Sequence, residues 1–130
     1  MIYESEILKG QQCPPQYRAN LLELLIRMNK IRDAYGRPMI VTSGFRSRAE
    51  HLRIYRNSAP DKIPWGSKHL SCQACDIYDP DNKLRKWCQD NDALLREIGV
   101  WMEEDQGSWI HFQIVAFKSF KNGGTLWFKP

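Results

Sequence analysis

Residues 109 to 115, Trp-Ile-His-Phe-Gln-Ile-Val, alternate strictly in polarity, the signature of a β-strand with two unlike faces. Ile110, Phe112 and Ile114 share the core face, while Trp109, His111, Gln113 and Val115 share the other. A second run, residues 73 to 78, sets Ala74, Asp76 and Tyr78 against Cys75 and Ile77 in the same way. Any fold for this chain must therefore build a sheet and satisfy an imidazole and a carboxylate set within apolar strands. A carboxylate facing a core needs a strong partner.

The rest of the chain supplies helices for that sheet. After Pro14-Pro15, residues Leu21, Leu22, Leu25, Met28, Arg32 and Tyr35 recur at helical spacing up to Gly36, which predicts an amphipathic helix over roughly residues 15–35. Pro38 ends it. Residues 39–42 read as a short buried strand leading into Ser43-Gly44, 47–56 as a second helix, and 57–67, with Pro60, Pro64 and Gly66, as a loop. Asp79-Pro80-Asp81 stops the next strand and offers caps for helical material through Glu97, closed by Gly99. A Lys-Asn-Gly-Gly turn at 121–124 precedes an edge strand at 125–128. Helices followed by antiparallel strands give the class α+β, a small antiparallel sheet packed with helices, and the absence of repeats or a linker makes 1–130 a single domain.

Composition excludes several alternatives. A chain with 42% hydrophobic and 26% charged residues of both signs has material for a core and lacks the bias of a disordered segment. The net charge of +4 eases approach to an anionic polymer without selecting one. Lys and Arg are scattered, with no basic run and no aromatics arranged as a nucleic-acid module, so nucleic acid is not an expected partner. The first ten residues carry Glu4, Glu6 and Lys9 and have no apolar core, unlike a secretory signal, and the greasiest stretch, 21–28, is interrupted by Glu23 and Arg27, short of the roughly 20 apolar residues of a membrane span. Synthesis in the cytoplasm as a monomer is the expectation. Cys13, Cys72, Cys75 and Cys88 are then expected as free thiols. Cys72-Gln-Ala-Cys75 has no second CxxC, and its cysteines read as packing residues. His51 reads as a surface residue; Trp65, Trp87, Trp101 and Trp109 read as core.

Asp76, His69 seven residues before it, and His111 are the chemically suggestive set. Two imidazoles and a carboxylate with a fourth position left to water form the open arrangement of a catalytic zinc, whereas structural zinc sites are closed by four protein ligands. The plain alternative is a hydrogen-bonded structural His and an Asp paired with an Arg, and spacing alone leaves the two evenly balanced. Glu103, Glu104 and Asp105, just before the His111 strand, are placed to supply a base; taken alone they are a solvated acidic turn.

Three elements in order resemble the zinc D-Ala-D-Ala peptidases and their relatives, which include phage L-alanyl-D-glutamate endolysins and, in fold, the hedgehog signalling domain. The pattern Ser-x-His-x-x-Gly-x-Ala-x-Asp appears as Ser67-Lys-His69-Leu-Ser-Cys72-Gln-Ala74-Cys-Asp76, the later Trp-x-His as Trp109-Ile-His111, and the upstream Ser-Gly-Tyr/Phe-Arg-Ser as Ser43-Gly44-Phe45-Arg46-Ser47. The resemblance implies a hedgehog-like α+β fold, Zn2+ held by His69, Asp76 and His111, a substrate carboxylate or carbonyl engaged by Arg46, and Ser67 helping to orient it. It puts the catalytic base six residues before the second His, at Asp105, with Glu104 adjacent; Asp stands where many relatives have Glu, and Cys72 stands where they have Gly. The implied activity is hydrolysis of an amide in peptidoglycan stem peptides, as a D-Ala-D-Ala carboxypeptidase or an L-Ala-D-Glu endopeptidase such as a phage endolysin, acting on the cell wall or its precursors. The alternative is a zinc-containing binding domain that has kept the fold and lost catalysis.

Overall fold

The two alternating runs are hydrogen-bonded to each other. In the computed structural model, which describes residues 1–104 and 107–129, strand β2 (Ala74–Tyr78) pairs antiparallel with β4 (Trp109–Gln113), with Asp76 opposite His111, Cys75 opposite Phe112 and Ile77 opposite Ile110. That register gathers Asp76, His111 and Gln113 on one face, together with the small Ala74, and Cys75, Ile77, Ile110 and Phe112 on the other. β1 (Val41–Ser43) flanks β2, and β3 (Trp101–Glu103) flanks β4, both antiparallel; β5 (Trp127–Phe128) lies at the far edge, giving the order β1-β2-β4-β3-β5.

The α+β class stands, but the sheet is mixed, because β5 runs parallel to β3. Both edges of β4 are already taken by β2 and β3, so the chain leaving β4 cannot form a hairpin beside it. It crosses instead to the outer side of β3.

Helix α2 (Arg18–Tyr35) follows a 3-10 turn at Pro15–Tyr17 and ends at Gly36 in the left-handed conformation. Its buried stripe is Leu21, Leu24, Met28 and Ile31, one row round from the expected one, and Leu22 is exposed. These side chains join Cys75, Ile77, Met102, Ile110 and Phe112 in one core. Fully burying a Leu, Ile or Phe contributes about 1.5–3 kcal/mol, so this cluster holds the sheet's core face. α3 (Arg48–Ile54) is capped by Ser47, whose hydroxyl accepts from the Glu50 N–H at 3.1 Å. The Asp79 carboxylate accepts from the Leu84 and Arg85 N–H groups, both at 3.0 Å, and opens α4 (Lys83–Asp90); a break at Asn91 separates it from α5 (Asp92–Ile98). No helix among the described residues is long and apolar enough to cross a membrane.

Two elements escape the periodicity. α1 (Glu4–Leu8) is too short and charged to show a pattern, yet it buries Ile7 completely and the Tyr3 N–H donates to Glu6 at its start, at 2.7 Å. β3 is three residues long and runs directly into acidic residues. Three side-chain expectations also change. His51 is fully buried rather than at the surface, because residues 57–67 fold back over α3: its Nε2–H donates to the Pro64 carbonyl at 3.1 Å and its ring packs on Tyr55 and Trp65. Trp65 and Trp109, expected in the core, are each 39% exposed, since they lie on the outer side of that loop and on the sheet's polar face.

α1 also braces the loop after β1. Phe45 N–H donates to the Ile7 carbonyl at 2.8 Å, and Gln11 clamps the next turn by donating to the Phe45 carbonyl at 2.8 Å and accepting from the Ser47 N–H at 3.0 Å. Between these contacts only glycine fits at 44, because a Cβ there would meet the Ile7 backbone carbonyl. Gly44→Ala is expected to destabilise the protein by about 1–3 kcal/mol, as overpacking against backbone does. An unchanged urea midpoint would show that α1 yields freely.

Candidate metal centre

His69, Asp76 and His111 converge on the sheet's polar face, at the floor of a cleft of ≈ 580 Å³. Asp76 and His111 arrive as cross-strand partners; His69 reaches them from the turn before β2. One ligand atom from each residue lies within 4.8 Å of the others. Asp76 Oδ1 is 3.0 Å from His111 Nδ1 and 3.3 Å from His69 Nε2. Bonds of about 2.0–2.1 Å in a tetrahedron place donor atoms about 3.3 Å apart, so this spacing suits a single small ion.

Outer contacts decide which nitrogen of each ring faces inward. His69 Nδ1–H donates to the Gly44 carbonyl at 2.7 Å, which leaves Nε2 as a bare lone pair toward Asp76. The Gln113 amide donates to the Val115 carbonyl at 2.7 Å, so its Oε1 faces His111 and accepts from Nε2–H at 2.9 Å, leaving His111 Nδ1 as the inward lone pair. Two lone pairs and a carboxylate thus face one another in a buried place. A positive charge resolves that arrangement, either a proton shared between ring and carboxylate or a metal ion, and the donor set fits zinc.

The electrostatics agree. Burial pushes the Asp76 carboxyl up, but hydrogen bonds with His111 and His69 outweigh it and hold the group ionised well below the usual carboxylate range. Burial pushes His69 down. Burial also works against a charged His111, but Asp76 beside it reverses the balance and raises its pKa, so a proton at this ring is what a metal ion would displace.

The other expected site residues distribute unevenly. Arg46 lines the cleft; its Nε donates to Ser43 Oγ at 3.2 Å and its guanidinium lies 3.8 Å from Asp76 Oδ2, turning the other carboxylate oxygen toward the two rings. Ser67 lines the cleft too, and its hydroxyl accepts from the His69 N–H at 3.4 Å. Glu104 lines an adjoining groove with Phe117, Lys118, Trp127 and Phe128, while Asp105 lies outside the described residues. Of Glu103 and Glu104, it is Glu103 that lines the cleft. Trp101 pairs with Gln113 and Met102 with Phe112, so one further step along β3 sets Glu103 beside His111 on the polar face. Burial pushes its carboxyl up, against the pull of His111. The available signal was alternation: Met102 faces the core, so Glu103 must face the opposite way and Glu104 must turn from it.

Cys72, where the family pattern has Gly, adopts φ +60°, so the position does require the left-handed conformation. A side chain there costs about 1–2 kcal/mol. Its thiol is buried in the core beside Cys13, outside the histidine cluster, and burial pushes it up to about 12, so it stays protonated. All four cysteines are free.

An α+β domain that sets an open His-Asp-His cluster at the floor of a cleft, with a carboxylate and a guanidinium on its walls, has the layout of a metallopeptidase. The Peptidase M15 profile matches residues 2–113, and the chain belongs to this family of zinc peptidases. No curated protein and no solved structure matches it.

Gln113→Ala is expected to lower zinc affinity about 10–100-fold, as loss of an outer-sphere partner does. Competition with a chromophoric chelator measures it, and unchanged affinity would mean that Gln113 does not orient His111.

Proposed function

We propose that this chain hydrolyses an amide bond in peptidoglycan stem peptides, with Glu103 as the general base. The observation that carries this reading is Glu103 lining the same cleft as the His-Asp-His cluster and Arg46. A cluster without a neighbouring proton acceptor would suit a zinc-containing binding domain; the carboxylate favours an enzyme.

Zinc, when held by His69, Asp76 and His111, supplies Lewis-acid polarisation of the scissile carbonyl and acidifies water. Glu103 accepts the proton of the attacking water and returns it to the departing amine. Its raised pKa suits both halves of that task, since a base with little proton affinity is a poor donor later. Arg46, anchored through Ser43, presents a guanidinium to a substrate carboxylate or carbonyl, and Ser67 steadies the turn that carries His69. Lys68 and Lys118 add positive charge along the cleft, which suits an acidic peptide. The motif resemblance at Ser43 to Ser47, Ser67 to Asp76 and Trp109 to His111 supports a cell-wall peptide as that substrate.

Mass spectrometry of peptidoglycan fragments incubated with zinc-loaded protein, beside a chelated control, tests the activity. Loss of one terminal alanine identifies a carboxypeptidase, and cleavage between the first and second stem residues an endopeptidase; no zinc-dependent product sinks the proposal. Glu103→Gln is expected to keep its zinc and lose turnover by about 10²–10⁴-fold, with Glu104→Gln and Asp105→Asn near wild type. An active Glu103→Gln beside an inactive Glu104 or Asp105 variant would transfer the role to that residue.

The base works only when ionised, and burial raises its pKa. The acidic limb of kcat/KM is therefore expected at higher pH than an ordinary glutamate would give, with activity falling as pH drops through that limb. A limb at the ordinary glutamate position would contradict the assignment.

A further inference from the structure

Beside the metal cleft lies a second groove of ≈ 420 Å³ that shares Arg46 with it. Its lining is largely apolar and aromatic, with Tyr17 and Phe45, whose rings lie 6.5 Å apart, alongside Trp65 and Leu70. Among the described residues, the charged groups lining it are both guanidiniums, Arg46 and Arg48, and no acidic side chain lines it. Arg48 makes no ion pair among the described residues; its guanidinium is held instead 4.3 Å over the Trp65 ring, which leaves its N–H edge available.

The Trp65 wall is braced from behind. His51, fully buried, packs its ring 5.2 Å from Trp65 and donates to the carbonyl of the preceding residue, Pro64, at 3.1 Å. The groove's shape is thus set before any ligand arrives, which lowers the ordering cost of binding. Arg48, with no acceptor among the described residues, calls for an anion, and the planar fork of an arginine on an aromatic face suits a carboxylate beside an apolar group.

We propose that this groove is a second subsite of the substrate peptide, in which Arg48 grips a carboxylate-bearing residue against Trp65 while the scissile amide lies at the metal cluster and the chain passes over Arg46. This rests on the peptidase activity proposed above. It assigns Arg48 to substrate selection rather than to chemistry.

Binding separates the two ideas. A peptidoglycan stem pentapeptide ending in D-Ala-D-Ala and its counterpart with every carboxylate amidated would be titrated calorimetrically into the turnover-deficient Glu103→Gln protein, with and without Arg48→Gln. Losing one charge-assisted contact should weaken the free-acid peptide about tenfold, leave the amidated peptide within about twofold, and leave zinc content unchanged. Equal weakening of both peptides, or of neither, overturns the subsite. The unamidated peptide is also offered to wild-type protein. Cleavage with no dependence of binding on Arg48 overturns the subsite alone, whereas Arg48-dependent binding without cleavage upholds the subsite and overturns the peptidoglycan activity. Neither binding nor cleavage overturns both.

Discussion

Asp76 and His111 face each other across neighbouring antiparallel strands, and the candidate site is built outward from that pairing. A slip of one residue would send the carboxylate and imidazole to opposite faces and put either Cys75 or Phe112 in the cleft. The register is held by the other face: Cys75, Ile77, Ile110 and Phe112 are fully buried, and exposing them would forfeit several kcal/mol. The hydrophobic face thereby positions the polar one. His69 needs only a short turn to join the pair.

Burying two imidazoles and a carboxylate together is expensive unless each is satisfied. The fold meets this with contacts outside the cluster. The Gly44 carbonyl takes one His69 proton, and Gln113, itself fixed by Val115, takes one from His111. Arg46 answers the second oxygen of Asp76. Gly44 is in turn pressed against Ile7, and Gln11 clamps the turn that follows, so the amino-terminal segment belongs to the support of the site although it contributes nothing to the cleft. What faces the cluster's centre is electron pairs, the condition for binding a cation.

Cys72 illustrates how a departure from a family pattern can be tolerated. Its backbone takes the left-handed conformation that glycine would adopt at no steric cost, and its side chain recovers part of the difference by packing in the core with Cys13. The strain falls on the turn between His69 and β2, where the Cys72 N–H still reaches the His69 carbonyl at 3.4 Å. His69, Asp76 and His111 still converge in one cluster beside that turn.

Much of this was legible in the chain. Alternation at 73–78 and 109–115 determined two strands and which residues share a face, helical spacing determined α2, and His69, Asp76, His111, Arg46 and Ser67 stand out by motif; all five line one cleft. These features are local, repeating over a few residues, and local geometry is what periodicity reports. The parallel edge strand, the burial of His51 under residues 57–67, and the presentation of Glu103 rather than Glu104 to the cleft were decided only by tertiary structure. Each depends on which distant segments become neighbours: β4 has no free edge, a proline-rich loop folds back on α3, and a three-residue strand acquires its orientation from the register of its partner. So short a strand carries too few residues to announce its own inner face, and the neighbour to which it bonds supplies that information.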